Sequence, residues 1–401
     1  TFQLRERIYT MIDIVDHPGS EKFSPARSIG AIMADYMSKH DDFYLFSPDE
    51  TTSNKLDAVF EVSARAWDLA RRDFDLPESF DGQIIELLSE NTLFACMVGH
   101  LIAGGTAMMT SYEAFFSIIT SQVLQHLKFL DQSSQVKWRP SYPAANLLST
   151  STCWRQDHNG FTHQSPALIS TLLCLPSNLS NCLFPVDDVA AEAAFIYMIR
   201  SKNVVNLTTF NKTDQPRWLN SHQADDQLSH SGASIFDFIS DEGEPDYVLV
   251  GAGDIVSCEA IKAIELLRQD FSNKKFRFVN IATLSYNAIG TTDNKLAQAN
   301  FDKLFTTDKP IIANFHGYPA TLQQILTNYA LPSRLHVHGF EEHGSTTTPF
   351  QMLSVNHASR YQLAMDIAKL EKRDDLVEKY QKIIDDNANY AHEHGVDQVV
   401  D

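Results

Sequence analysis

The sequence predicts an α/β protein: a doubly wound parallel sheet within residues 1–215, a linker over 216–245, and a second, smaller α/β unit over 246–401. Three observations predict this. Short apolar runs of strand length alternate with helix-patterned stretches through the first half. The stretch 212–245 is then rich in Asp, Ser, Gln, His and Asn. Beyond it a clean strand–turn–helix opens at Tyr247-Val248-Leu249-Val250.

Ser24-Pro25-Ala26-Arg27 opens a helix reaching about Lys39, with Ser24 as its cap and Pro25 where a missing N–H does no harm. Phe43-Tyr44-Leu45-Phe46 reads as a buried strand ending in the loop Ser47-Pro48-Asp49-Glu50-Thr51, with Ser53-Asn54-Lys55 directly after. Loops at the carboxyl ends of parallel strands are where α/β proteins place ligands. Positions 71–83 read as surface loop. Gln83 to Ala103 is apolar with helical spacing, broken at Ser89-Glu90-Asn91. Glu90 stands out there, a carboxylate flanked by apolar residues on both sides, placed at a cap or partly buried with a partner. Ala107-Met108-Met109 predicts a strand. Tyr112 to about Leu130 predicts an apolar helix with Tyr112, Phe115 and Phe116 at its start, a pattern that core packing also produces.

Trp154-Arg155-Gln156-Asp157-His158-Asn159-Gly160-Phe161-Thr162-His163-Gln164 is dense in polar and titratable groups. Burying it is costly unless each group meets a partner or a ligand. Imidazoles, amides and a guanidinium suit a small anionic, oxygen-rich substrate handled by proton transfer. A satisfied polar network at a domain junction is the alternative. Asn181-Cys182-Leu183-Phe184-Pro185 and Asn203-Val204-Val205-Asn206-Leu207 are read as strands around a helix from Asp187 to about Arg200, with Lys212 just past the second.

In the second unit, Gly251-Ala252-Gly253-Asp254 is a turn before a helix over Ile255–Arg268. Ser257 stands near where a dinucleotide fingerprint wants its third glycine, so a plain strand–helix turn is the preferred reading. Further strands are expected at Phe276–Ile281, Pro310–Phe315 and Leu335–His338, with helices between 356 and 393. His336, His338 and His343 lack a carboxylate at metal-site spacing.

A hydrophobic content of 43% and a charged content of 21% are ordinary for a soluble protein. No apolar run approaches the length that crosses a bilayer, and Thr1-Phe2-Gln3-Leu4-Arg5 does not begin like a signal peptide. Five cysteines without C-x-x-C spacing argue against a disulfide framework or zinc site, and predict a reducing, cytoplasmic location. A net charge of −19 speaks against nucleic acid as a partner. An anionic substrate then requires local basic residues.

The run Trp154–Gln164 resembles the corresponding run of the phosphoketolases, thiamine diphosphate enzymes related to transketolase. So do Ser47-Pro48-Asp49-Glu50-Thr51-Thr52-Ser53-Asn54-Lys55-Leu56, Phe305-Thr306-Thr307-Asp308-Lys309-Pro310, Phe315-His316-Gly317-Tyr318-Pro319 and His343-Gly344-Ser345-Thr346-Thr347-Thr348-Pro349-Phe350. The matches keep the family's order from about residue 25 to 395. The resemblance implies a pyrimidine-binding domain of the thiamine diphosphate fold followed by a transketolase-like C-terminal domain. It implies that Glu90 hydrogen-bonds the cofactor's aminopyrimidine, with a pKa raised by burial, and that Phe115 stacks on that ring while Tyr112 faces substrate. It gives His163 the work of orienting substrate hydroxyls and shuttling protons. His158, Gln156 and Asn159 then line the same pocket, and Ser53, Lys55 and Lys212 bind the sugar phosphate.

The activity implied is a lyase reaction. Xylulose 5-phosphate or fructose 6-phosphate is cleaved with inorganic phosphate to acetyl phosphate and an aldose phosphate. Lys55 stands where the family commonly carries arginine, and the Phe94–Gly105 segment lacks the family's charged residues and tryptophan. The resemblance also implies a diphosphate-binding half, carrying Mg²⁺ and the Gly-Asp-Gly to Asn motif, which these residues do not contain. Its implied partners are that half, from another domain or subunit, and further copies in an oligomer. A non-catalytic, regulatory paralogue and a transketolase-like ketol transferase are the alternatives.

Overall fold

The computed structural model describes residues 12, 14–70, 72–73, 78–154, 160–344 and 347–399. Two large sheets carry the architecture. Across the first, the strand order is Ala288–Ile289, Thr283–Ser285, Ser180–Leu183, Val205–Thr209, Ala145–Thr150, Thr106–Tyr112, Phe43–Ser47, Ile84–Glu86, Arg65–Ala66 and Glu78–Ser79. All neighbours are parallel except the first two strands, an antiparallel hairpin that adds itself to Ser180–Leu183. The second sheet runs Ala233–Ile235, Phe276–Ile281, Tyr247–Ala252, Ile311–Phe315 and Leu335–His338, and only its first strand is antiparallel.

Central strands are buried along their whole length, as a parallel sheet covered by helices on both faces requires. One apolar cluster runs from Ile29 and Met33 through Phe195 to Ile261 and Leu363, so the two halves share a core. Sheet membership also crosses the expected linker. Within 216–245 lie a helix, Ser221–His230, started by an Asn220/Gln223 capping box, and the strand Ala233–Ile235. From beyond it, residues 283–289 return to extend the first sheet.

Two expected elements divide differently. The stretch 83–103 is a strand, Ile84–Glu86, then a helix, Glu90–Ile102. Ser89 separates them by accepting the Thr92 N–H at 3.3 Å, a side-chain cap that starts the helix. Tyr112 is the last residue of a strand rather than the first of a helix. It pairs with Thr150 across the sheet, and its N–H goes to Glu50 Oε2 at 3.2 Å. A short 3₁₀ segment, Glu113–Ile119, follows before the helix Thr120–Ser134.

Candidate active site

The loops leaving the carboxyl ends of four adjacent parallel strands meet above the first sheet. Phe43–Ser47 delivers Glu50 and Ser53, Thr106–Tyr112 delivers Tyr112 and Phe115, Ala145–Thr150 leads towards His163, and Val205–Thr209 delivers Lys212. The first loop is tightly wound. Asp49 and Lys55 adopt left-handed backbone, φ 62° and 63°, which non-glycine residues hold only where the surroundings impose it. Buried Asn54 pins the loop to two strands, donating to Thr110 Oγ1 at 3.4 Å and accepting from Thr150 Oγ1 at 2.5 Å.

Ser53 Oγ lies 3.1 Å from the Tyr112 hydroxyl. The Tyr112 and Phe115 rings stack with centroids 5.7 Å apart, and the His163 ring stands 5.1 Å from Phe115 and 6.5 Å from Tyr112. Lys212 Nζ sits 5.2 Å over the Tyr112 ring, and the Lys212 carbonyl accepts from the Ser24 hydroxyl at 2.9 Å. That hydroxyl also caps the helix Pro25–Met37. Glu90, half-buried in the first turn of its helix, accepts from Ser111 Oγ at 3.5 Å. A carboxylate in that position is favoured by the helix dipole.

The structure thus brings Glu90, Tyr112, Phe115, His163, Ser53 and Lys212 to one place. Lys55 shares the loop, but no polar contact ties its side chain to the group among the described residues. Gln156, His158 and Asn159 lie outside the described residues. Glu50, to which the sequence attached no role, joins the group. Burial, then the neighbouring Glu90 charge, raises its carboxyl to about 8, against the opposing pull of the Tyr112 N–H, Asn54 and Lys212. Its sequence signals were its place in a loop past a parallel strand and inside a run resembling the family, neither of which gave it a role. At neutral pH Glu50 keeps its proton beside a second carboxyl group, an arrangement suited to holding and passing a proton.

Polar atoms without partners lie in the same loops and strand ends. Thr51 Oγ1, Ser149 Oγ, Ser151 Oγ, Thr209 Oγ1 and both amide atoms of Gln164 are buried with no hydrogen-bond partner among the described residues. Buried polar groups are rarely left so unless a ligand or water meets them. Aromatic face, carboxyl pair and unmet polar atoms together fit a heteroaromatic group carrying ring nitrogens. The Gly251–Gly253 turn, by contrast, is filled by protein. A Cβ on Gly251 would meet Ser257 Oγ at 2.3 Å, and one on Gly253 would meet His316 Cβ at 2.9 Å. The glycines serve close packing of strand, helix and neighbour. His338 and His336 lie 2.8 and 3.7 Å from the Asp366 carboxylate.

Solved structures of similar fold include transketolases. One from Pichia stipitis, in complex with sedoheptulose 7-phosphate, superposes with a TM-score of 0.68 over 91% of this chain and 48% of its own, at 14% identity. One from Campylobacter jejuni gives 0.64 over 92% and 50%, at 15% identity. A split-gene transketolase described as an inactive β4 tetramer gives 0.58 over 86% of this chain and 98% of its own, at 11% identity. The chain therefore has the transketolase-like fold, a pyrimidine-type α/β unit joined to a C-terminal one.

Within that class it belongs to the phosphoketolase family. The family model for D-xylulose 5-phosphate/D-fructose 6-phosphate phosphoketolase matches residues 27–201, and that for its C-terminal domain matches 212–400. A probable phosphoketolase of Rhodopseudomonas palustris is 38% identical over 389 residues, covering 95% of this chain and 50% of the relative. Probable phosphoketolase 1 of Nostoc sp. is 36% identical over 404 residues, covering 96% and 50%. The chain spans about half the length of the curated relatives it matches.

Proposed function

We propose that this chain is the pyrimidine-binding and C-terminal part of a thiamine diphosphate-dependent phosphoketolase. It cleaves xylulose 5-phosphate or fructose 6-phosphate with inorganic phosphate, once a diphosphate-binding domain or subunit carrying Mg²⁺ completes the site. The observation that carries this reading is the meeting of Glu90, Phe115, Tyr112 and His163 at the strand ends, with Ser53 and Lys212 beside them. The bound cofactor supplies the electron sink for carbon–carbon cleavage. This chain's residues do the rest. Glu90 hydrogen-bonds the aminopyrimidine, and Phe115 stacks on that ring. His163 orients the substrate hydroxyls and moves a proton. Ser53, Lys55 and Lys212 hold the phosphate, supplying the local positive charge that a −19 background lacks. Gln156, His158 and Asn159 are assigned to the same pocket from the family motif.

An exposed apolar face beside Glu90 supports the need for a partner. The helix Glu90–Ile102 turns Ala95, Cys96, Gly99 and Ile102 outward, next to exposed Leu87, Leu88 and Ile118. A Cβ on Gly99 would meet nothing, so the fold of this chain gives no reason for a helix-weakening glycine there. Close approach of another surface does. The test is reconstitution with the amino-terminal half of a full-length phosphoketolase, reading acetyl phosphate released from xylulose 5-phosphate and phosphate. The expected result is activity that Glu90→Gln abolishes. Assembly without turnover, indifferent to Glu90→Gln, points to a non-catalytic paralogue. Ketol transfer to an aldose phosphate without acetyl phosphate points to transketolase chemistry.

A further inference from the structure

Glu113, Cys153 and His316 form a second cluster, buried between the two halves and used by none of the chemistry above. Glu113 directly follows Tyr112, His316 directly follows the strand Ile311–Phe315 of the second sheet, and Cys153 leads into Trp154. Glu113 Oε1 lies 2.7 Å from His316 Nε2, the two side chains being 3% and 1% exposed. Glu113 Oε2 accepts the Cys153 N–H at 2.7 Å. The His316 carbonyl accepts from Trp154 Nε1 at 2.8 Å and from the Cys153 thiol at 3.7 Å. The His316 N–H in turn goes to Ala252 O at 2.9 Å. Gly253, at φ 121°, leaves the room in which the imidazole sits.

Asp254 faces the same imidazole and is itself held by the N–H groups of Asn211 and Ile255, both at 2.7 Å. Burial alone pulls His316 down; Glu113 first, then Asp254, outweigh it and hold it above the ordinary histidine range. Burial, with Glu113 next, pushes the Cys153 thiol up, so it stays protonated as a donor. A dry ion pair of this kind adds little net stability over a well-packed apolar pair, because desolvation offsets the attraction. What it does supply is fixed geometry between segments 203 residues apart.

We propose that the Glu113–His316 pair is a positioning device. Through it the C-terminal half sets the Tyr112–Phe115 aromatic face, and the pair Cys153-Trp154, at the angle the site requires. Both are positioning residues that touch neither substrate nor cofactor. Glu113 lies between Tyr112 and Phe115 in the chain and, by its other oxygen, holds Cys153 beside the root of the Trp154–Gln164 run. One imidazole thereby fixes both Glu113 and Cys153-Trp154. This rests on the functional reading above only in calling that face the site. Ligand atoms of Glu113, Cys153 and His316 all lie within 4.8 Å of one another, a spacing that could also hold a metal ion. The imidazole nitrogen, both carboxylate oxygens and the thiol already have partners within the cluster, so no ion is needed to satisfy them.

The test uses Glu113→Gln, His316→Gln and the double variant, in which two neutral amides can hydrogen-bond to each other. Peptide-resolved amide exchange on the chain is expected to quicken by about tenfold or more at 112–119 and 151–154 in each single variant, with Phe43–Ser47 and Phe276–Ile281 unchanged. The double variant is expected to recover most of that protection. Unchanged exchange overturns the proposal. So does loosening spread through the second sheet without recovery, and so does one equivalent of zinc per purified chain. In the reconstituted enzyme the single variants are expected to lower kcat on the order of tenfold, with KM for the ketose phosphate moved less and the double variant partly rescued. If the assembled wild type has no phosphoketolase activity, the functional reading falls, and the exchange results alone decide the positioning role.

Discussion

Glu50 and Lys212 show how a residue's chemistry follows from what lies against it. Glu50's folded pKa, about 8 against an ordinary 4.5, means the folded chain keeps a proton that the unfolded chain releases within that window. Stability of the chain alone therefore falls as pH rises through it. Glu50→Gln removes the titration, so the drop in urea midpoint between about pH 5 and pH 8 is expected to shrink. An unchanged drop would place the burden on another group. Lys212→Met, losing the ammonium over the Tyr112 ring, is expected to raise KM for the ketose phosphate about tenfold in the reconstituted enzyme, with kcat moved less. Equal losses in kcat and kcat/KM would argue that Lys212 acts in the chemical step instead. Glu90, Phe115 and Lys212 were legible as candidates because residue type and motif spacing survive in the sequence. Glu50 was not, because a carboxylate in a polar loop looks solvated until the strands it folds over are known.

Single elements are tuned by side chains the strand pattern does not reveal. Three asparagines line up across the first sheet: Asn181 donates to Asn206 and Asn206 to Asn146, each at 2.9 Å. They are paired in register across three parallel strands. A one-residue slip would break every link, so the ladder fixes register where a two-sided apolar sheet fixes it weakly. Asn206→Leu leaves two buried amides short of a partner and is expected to cost about 2–3 kcal/mol by urea unfolding. A loss under about 0.5 kcal/mol would mean the ladder carries no such weight. At the Gly253 turn, Gly253→Ala combines φ 121° with a 2.9 Å approach to His316 and is expected to cost about 1–3 kcal/mol. Strand positions were legible from apolar runs. The break at Ser89-Glu90-Asn91 was legible too, but not that Ile84–Glu86 before it is a strand, because helical spacing ran on through it.

At the scale of the whole molecule, the outward face of Glu90–Ile102 bears on assembly. Gly99→Ala is expected to leave the fold intact and to steady the helix by about 0.5–1 kcal/mol. Gly99→Glu, with open space around it, is expected to spare the fold and weaken association with the diphosphate-binding half, as read by sedimentation velocity. Undiminished association would locate the partner elsewhere.

The sequence by itself determined the alternation of strands and helices, the two-sheet class, the family and most of the candidate groups. All of these depend on local pattern or on motifs a few residues long. Only the tertiary structure decided that residues 283–289 return to the first sheet, that Glu50 lies beside Glu90, and that His316 closes onto Glu113. Burial and charge pairing belong to segments that meet, and sequence distance says nothing about which segments those are.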